Sequence, residues 1–258
     1  MAYTDVTFDD RAFTSVEGVS VLKITPYLPA MRSLSIANIA RSNSSKANSA
    51  FYTKKEVLVR VGISRTTRRL AEQALDSLMA IIQGQEKWLV VPQSSGFRKF
   101  LSTYSNYDVR VDGGSYIELD LNFECSEMFG YDTTSTTLLT LTNDTSAISS
   151  SSITLDGSAP WQVPKYTITY SAISGGTSKT VTVGNGSTGQ QVSVTRDWAT
   201  SDVLTIDAYE NTVTVNGNEV DFTGAIPTWE KGVGQITYQD NFTTRTYSSL
   251  LTYYKRWV

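Results

Sequence analysis

Histidine is absent from all 258 positions of the chain. Its absence removes the usual general base, the Ser-His and Cys-His nucleophile systems, and the commonest transition-metal ligand. Cysteine occurs once, at Cys125, so neither an intrachain disulfide nor a multi-thiolate zinc site can form. In the strand-like run LNFECSEMF that thiol reads as a small buried apolar side chain. Charge is scarce too: 18% of the residues are Asp, Glu, Lys or Arg, and the formal net charge is −3. Nonspecific nucleic-acid binding needs a basic face, and this balance argues against it. The one basic bunch, Arg65, Arg68 and Arg69, reads as a solvated helix face. No run of about 18 apolar residues occurs, so no membrane span is expected. The opening MAYTDVTFDD lacks the basic and apolar regions of a secretory signal, which points to synthesis in a cytoplasm. Neither metal nor cofactor is expected.

What remains is a β-forming composition, rich in Thr, Ser, Tyr and Val, with 40% apolar residues to build one large core or two modest ones. Up to about Ile63 the text is short β-like runs, DVTFDDRAF, GVSVLKITPYL and KEVLVRVGI. Between them ARSNSSKANSAFYTKK, Ala40 to Lys55, is polar, without apolar periodicity, and reads as a long loop. Ser64 to Gln83 is the one helix: Leu70, Ala74, Leu75, Leu78, Ile81 and Ile82 form a stripe at spacings of three and four, with Ser64 or Thr66 as cap. Strands return from Trp88 to Phe129. There Asp112-Gly113-Gly114 makes a hairpin turn, and Ile117, Leu119, Leu121 and Phe123 alternate with polar residues.

The Ser/Thr-rich stretch Tyr131 to Gly157 marks a change of domain, and beyond Trp161 the pattern is all-β at sandwich spacing. In LTIDAYENTVTVNGNEVDF, Leu204, Ile206, Val213 and Val215 face one way and Asn216-Gly217 turns the chain. The predicted fold is mainly β with two domains. Residues 1–131 form a β-sandwich or barrel-like domain with one packed α-helix, about 64–83, and residues 132–258 form a β-sandwich.

Carboxylates are the only catalytic groups left. Asp197, Asp202, Asp207, Glu210 and Glu219 fall at strand ends and turns, where Asp is common for backbone reasons, and no catalytic site is expected. Asn143-Asp144-Thr145 lacks the spaced acidic loop of a calcium site. The glycines of GNGSTG lack a following Lys and helix, so this is a turn rather than a phosphate loop. The aromatic set Trp161, Trp198, Tyr209 and Trp229 is either core and rim or a saccharide-stacking surface.

The order of several stretches resembles the distal tail protein (Dit) family of long-tailed, siphovirus-type bacteriophages. They are KEVLVRVGI, the amphipathic helix, EKWLVVP, GFRKFLSTY, YIELDLNFECSEMFGY, LTIDAYENTVTVNGNEV and the ending LTYYKRWV. The resemblance covers most of both domains; each motif is weak alone, and their order carries the likeness. It implies a structural virion protein with no enzymatic activity. The N-terminal domain would close a homo-hexameric ring at the tail tip, and the C-terminal domain would be a galectin-like sandwich. The implied partners are the tail tube protein, the tail-associated tip hub protein and receptor-binding proteins. DNA would pass through the lumen without specific binding, and no membrane is involved. On this view Arg41, Lys46, Phe51, Tyr52, Lys54 and Lys55 are candidates for an inter-subunit loop. A galectin-type sugar site built around His is excluded. The alternative is a carbohydrate-binding or adhesion module on a virion or cell surface, using Trp161, Trp198, Tyr209 and Trp229.

Overall fold

The computed structural model describes residues 6–25, 31–38, 45–93 and 96–258, and for 31–38 and 45–54 the backbone alone. The chain divides into two compact units, Met1–Thr133 with Val258, and Thr134–Trp257. In the first, the strands are β1 (Thr7–Phe8), β2 (Arg11–Ala12), β3 (Val19–Thr25), β4 (Met31–Asn38) and β5 (Ser45–Ser64). Helix α1 (Arg68–Ile82) follows, then β6 (Lys87–Gln93), β7 (Gly96–Asp112), β8 (Tyr116–Cys125) and β9 (Gly130–Asp132). They pair in the order β2-β1-β6-β7-β8-β5-β3, with β4 joined to β5 and β9 to β7.

Period-two alternation builds this sheet. On β8, Ile117, Leu119, Leu121 and Phe123 are buried, and on β5 so are Val57, Val59, Val61 and Ile63. Helix α1 packs on that face through Ala71, Ala74, Leu78 and Ile82, with Leu75, Met79 and Ile81 at its margins. Burying a side chain the size of Leu78 or Ile82 stabilises by about 1.5–3 kcal/mol. The expected stripe is therefore present, but the helix starts later than Ser64. Ser64 ends β5, held extended opposite Tyr116, and the cap is Thr67 rather than Ser64 or Thr66. Thr67 Oγ1 accepts the backbone N–H of Leu70 at 3.4 Å.

The stretch read as a loop from Ala40 to Lys55 is, from Ser45 onward, the first half of β5, paired with β4 from Asn38↔Ser45 to Met31↔Lys54. Its composition lacks the alternation that marks a half-buried strand, so the ladder was invisible in the sequence. From Lys55 to Ser64 the same strand pairs with β8, and β3 lies on its other side.

The second unit contains β10 (Thr136–Asp144), β11 (Ile148–Leu155), β12 (Trp161–Gln162), β13 (Lys165–Ser174), β14 (Lys179–Asn185) and β15 (Gln191–Arg196). After them come β16 (Val203–Asp207), β17 (Thr212–Val215), β18 (Asn218–Glu219), β19 (Thr223–Gly224), β20 (Trp229–Glu230), β21 (Gly232–Asp240) and β22 (Thr244–Tyr253). One sheet runs β10-β22-β13-β16-β17-β18 and the other β11-β21-β14-β15-β19, while β12 pairs with β20. Their inner faces share one core, which includes Val181, Val183, Val192 and Val194 from one sheet and Leu204, Ile206, Val213 and Val215 from the other. This is a β-sandwich.

Tyrosines carry hydroxyls into that core. Tyr170 stacks edge-on against Trp198 and Phe242, and its hydroxyl lies 3.3 Å from that of Tyr238. The Tyr238 hydroxyl donates to Asp240 Oδ2 at 2.6 Å, while Asp240 Oδ1 accepts from Arg245 and from the Phe242 backbone. Burial pushes Tyr166 up to about 12 and drives Tyr170, Tyr238 and Tyr247 upward as well, so these phenols stay protonated and serve as donors.

The Asn216-Gly217 turn joins β17 to β18 with Val215 opposite Asn218, and both turn residues have positive φ, 54° and 80°. That is the type I′ geometry expected from the dipeptide. Asn216 Oδ1 also accepts the Val203 N–H at 2.9 Å, and its Nδ2 donates to Asp202 Oδ1 at 2.8 Å. The turn is thereby tied to the start of β16. Asn216→Ala removes both side-chain bonds and the tolerance of positive φ that Asn provides, and is expected to cost about 1–3 kcal/mol. Thermal unfolding should show a lowered midpoint, with Asn218→Ala as a near-neutral control. Thr67→Ala should cost about 0.5–2 kcal/mol through loss of the helix cap, read in the same way.

Candidate assembly edge

Strand β7 is 17 residues long and its neighbour β6 is 7. The β6 ladder runs from Gln93↔Gly96 to Lys87↔Ser102 and stops there. Beyond Ser102, β7 continues to Asp112 with β8 on one side, and among the described residues no strand pairs with its other side. Alternate backbone N–H and C=O groups therefore point away from the sheet over this stretch, and residues 105–112 are all exposed.

This edge carries the charges of Asp108, Arg110 and Asp112 and two register shifts, at Tyr104/Asn106 and Val109/Val111, and between them it exposes apolar side chains. Tyr107, Val109 and Val111 are 47%, 55% and 42% exposed. Tyr107 stands opposite Leu121 and Val109 opposite Leu119, on the face that α1 covers further along. They extend the core face past the end of its cover. A register shift between Val109 and Val111 then sets Val111 opposite Glu118. The turn at the tip is the expected one, with the Gly113 N–H donating to Tyr116 O at 2.8 Å and Gly114 at φ 77°. At the far edge of the same sheet is β3, where Leu22 is 37% exposed at a shift between Val21 and Lys23.

The opposite face of the sheet is polar and is organised around Asp120, which is fully buried. Arg60 meets both its oxygens, Nε to Oδ1 at 2.7 Å and Nη2 to Oδ2 at 3.0 Å, and Arg110 Nε reaches Oδ2 at 2.6 Å. These hydrogen bonds, led by that from Arg60, hold the Asp120 carboxyl below the usual carboxylate range against the opposing effect of burial. Glu118 adds a contact to Arg60 at 3.5 Å and accepts from the Tyr116 hydroxyl, while Asn122 donates to Asn106. Arg60, Asp120 and Arg110 come from β5, β8 and β7, so one carboxylate ties three strands, including the open one.

The residues singled out in the sequence distribute differently. Arg41 lies outside the described residues, and Lys46, Phe51, Tyr52 and Lys54 lie on the first half of β5 rather than in a loop. Lys55 is buried at 3% exposure, opposite Cys125 and 5.2 Å from the Phe100 ring centroid, so it does not present a surface contact. Burial lowers the Lys55 ammonium and pushes the Cys125 thiol up to about 12, leaving that cysteine inert at neutral pH.

Among the aromatics, Trp198 and Trp229 are core residues, 6% and 3% exposed. Their indole N–H groups donate to Lys179 O at 3.0 Å and Gln235 O at 3.2 Å, so neither ring offers a stacking face to a sugar. Trp161 and Tyr209 are exposed at 46% and 37%.

The second-unit carboxylates hold turns: Asp197 accepts Ser178 N, Asp202 accepts Ala199 N, and Asp207 accepts Tyr209 N and pairs with Lys165. Asp144 accepts Ser146 N and the Tyr247 hydroxyl. Asp197 and Glu219 line one cleft of about 550 Å³ with Val194, Thr195, Arg196, Val220 and Asp221. Among the described residues no cluster of three or more His, Cys, Asp or Glu could hold a metal, and no helix is long and apolar enough to cross a membrane. The exposed half of β7 was missed in the sequence. Its signal was the difference in length between the KWLVVP and GFRKFLSTYSNYDVRVD runs.

Residues 156–257 match the family described as the siphovirus-type tail component, C-terminal domain. No curated protein sequence matches the chain. Among solved structures, the SPP1 Dit (gp 19.1) protein, described as a paradigm of hub adsorption apparatus in phages infecting Gram-positive bacteria, superimposes with a TM-score of 0.73. Identity is 13% and each chain is covered over 100% of its length. Chains of the phage P2 baseplate in its activated conformation, with Ca and with Sr, give TM-scores of 0.54 and 0.52 at 8% and 10% identity, covering 98% of each chain. Residues 156–257 are thus similar to the siphovirus-type tail component domain, and over its whole length the chain has the fold of the SPP1 Dit protein.

Proposed function

We propose that this chain is a structural hub of a phage tail tip, closing into a homo-hexameric ring through the open half of β7. One observation carries the reading: a strand edge from residue 103 to 112 with exposed Tyr107 and Val109 continuing a covered core face. A neighbouring subunit's β3 edge would supply the missing backbone partners, with its Leu22 on the polar face beside Gly62 and Tyr116. Contacts of unlike edges repeat head to tail and close by rotation. The sheet then becomes one wall of a continuous ring.

Its polar face would line the lumen. That face carries Glu56, Asp108, Glu118, Asp120 and Glu124 against Lys23, Arg60 and Arg110, a net negative surface over which DNA slides without counterion-releasing contacts. The ring would sit between the tail tube protein and the tail-associated tip protein in the virion. The galectin-like second domain would carry receptor-binding proteins. No catalytic role is proposed. A carbohydrate-binding module is less well supported, because two of its four aromatics, Trp198 and Trp229, are core residues.

Electron microscopy and native mass measurement of the purified chain test the ring. Wild type should give rings of six, and Val109→Asp should abolish them while leaving the circular-dichroism spectrum unchanged. A wild-type chain that stays monomeric at high concentration overturns the hub.

The sheet itself should be acid-sensitive. Because the Asp120 carboxyl is depressed in the folded state, its contribution is complete above the unfolded carboxylate value of about 3.9. It is lost as pH falls through the folded value. Asp120→Asn should lower stability by about 1.5–3 kcal/mol near neutral pH. Chemical denaturation from pH 7 to pH 2 should also show a flatter acid limb in this variant than in wild type.

A further inference from the structure

One row of charges crosses the sheet of the first unit from edge to edge. Lys23 on β3 stands opposite Arg60 on β5, Arg60 opposite Asp120 on β8, and Asp120 opposite Asp108 on β7. All four lie on the polar face, because the alternate positions Val59, Val61, Leu119 and Leu121 belong to the core. The two inner members are committed to each other: Arg60 meets both oxygens of Asp120, and Arg110 adds a third bond. The two outer members are exposed, and among the described residues neither side chain has an ion-pair partner. Lys23 sits on the strand that ends the sheet and Asp108 on the open half of β7. The row therefore runs plus, plus, minus, minus, with an unmatched charge of opposite sign at each open edge.

We propose that Lys23 of each copy pairs with Asp108 of the next, and that this pair selects which edges meet and in which register. The pairing rests on the ring read from the β7 edge and deepens it. Neighbours in the order β7-β8-β5-β3 are all antiparallel, so β3 runs opposite to β7. Rotation about an axis along the strands preserves that sense and presents the next copy's β3 antiparallel to β7. Only registers that differ in steps of two keep polar face with polar face. Strand tilt in a closed sheet offsets neighbours along their length. A Lys side chain reaches the carboxylate when directly opposite it or at the diagonal position, and not at larger offsets.

Charge complementarity thus names the occupant. The open half of β7 calls for a strand with a cation on its polar face at the level of Asp108, and β3 carries one in that same row. Each exposed pair is weak alone and is screened by salt, but it recurs at every junction of the ring. Repeated head to tail, the row of charges continues without a break.

Charge reversal in the full-length chain tests the pair, read by native mass measurement and electron microscopy over a concentration series. Lys23→Asp and Asp108→Lys should each raise the concentration needed for ring formation about tenfold, since an attraction at every junction becomes a repulsion. The double variant Lys23→Asp/Asp108→Lys should return to within about twofold of wild type. An equimolar mixture of the two single variants should also assemble, because alternating copies set an acidic against a basic side chain at each junction. Single variants that assemble as wild type does, or failure of both the double variant and the mixture to recover, overturn the pair; wild-type rings in the same series then leave the hub standing. A wild-type chain that forms no ring overturns the hub, and the pair falls with it.

Discussion

The constraint on which the structure turns is that every backbone N–H and C=O in a strand needs a partner, and strands of unequal length cannot all supply one. β5 extends over 20 residues and β7 over 17, well beyond the usual ten or so, and their neighbours are shorter. β5 is paired on both sides only along its second half, with β3 and β8, and along its first half it pairs with β4 alone. β7 past Ser102 is likewise held on one side alone among the described residues, by β8. The exposed Tyr107 and Val109, the uncovered strip of core face and the proposed ring all follow from that open side.

The Arg60–Asp120–Arg110 cluster makes the open half of β7 usable as an interface. An edge strand held on one side alone is prone to fray. Here Arg110 on the edge strand is anchored to a buried carboxylate on β8, which Arg60 on β5 holds from the other side. The edge is thereby preorganised and a partner strand need not order it first. The second unit reaches rigidity by other means, with Tyr170, Tyr238 and Asp240 linking its sheets through buried hydroxyls.

Much of the architecture was legible because it rests on local rules. The alternation Ile117, Leu119, Leu121, Phe123 announced a half-buried strand, and the helical stripe of Leu78 and Ile82 announced a packed helix. Asn216-Gly217 announced a type I′ turn, and each is present. The first half of β5 was not legible, since SKANSAFYTKK has neither alternation nor an apolar face and is a strand through its pairing with β4. The helix cap moved to Thr67 because strand pairing with β8 holds Ser64 extended. Trp198 and Trp229 could not be told from surface aromatics, because a tryptophan suits a core and a binding face equally well until its neighbours are known.

By itself the sequence determined chemistry through absence: without histidine and with one cysteine, no Ser-His or Cys-His system, intrachain disulfide or multi-thiolate zinc site can be assembled, whatever the fold. It also determined secondary structure wherever a period or a turn dipeptide was present, since those depend on residues adjacent in the chain. Only the tertiary structure decided which surfaces are open. Whether Val109 is core or edge depends on where β6 ends, and whether Lys55 is loop or buried depends on strands met more than forty residues later. Exposure is a property of what fails to arrive at a surface, and no local pattern in the chain records it.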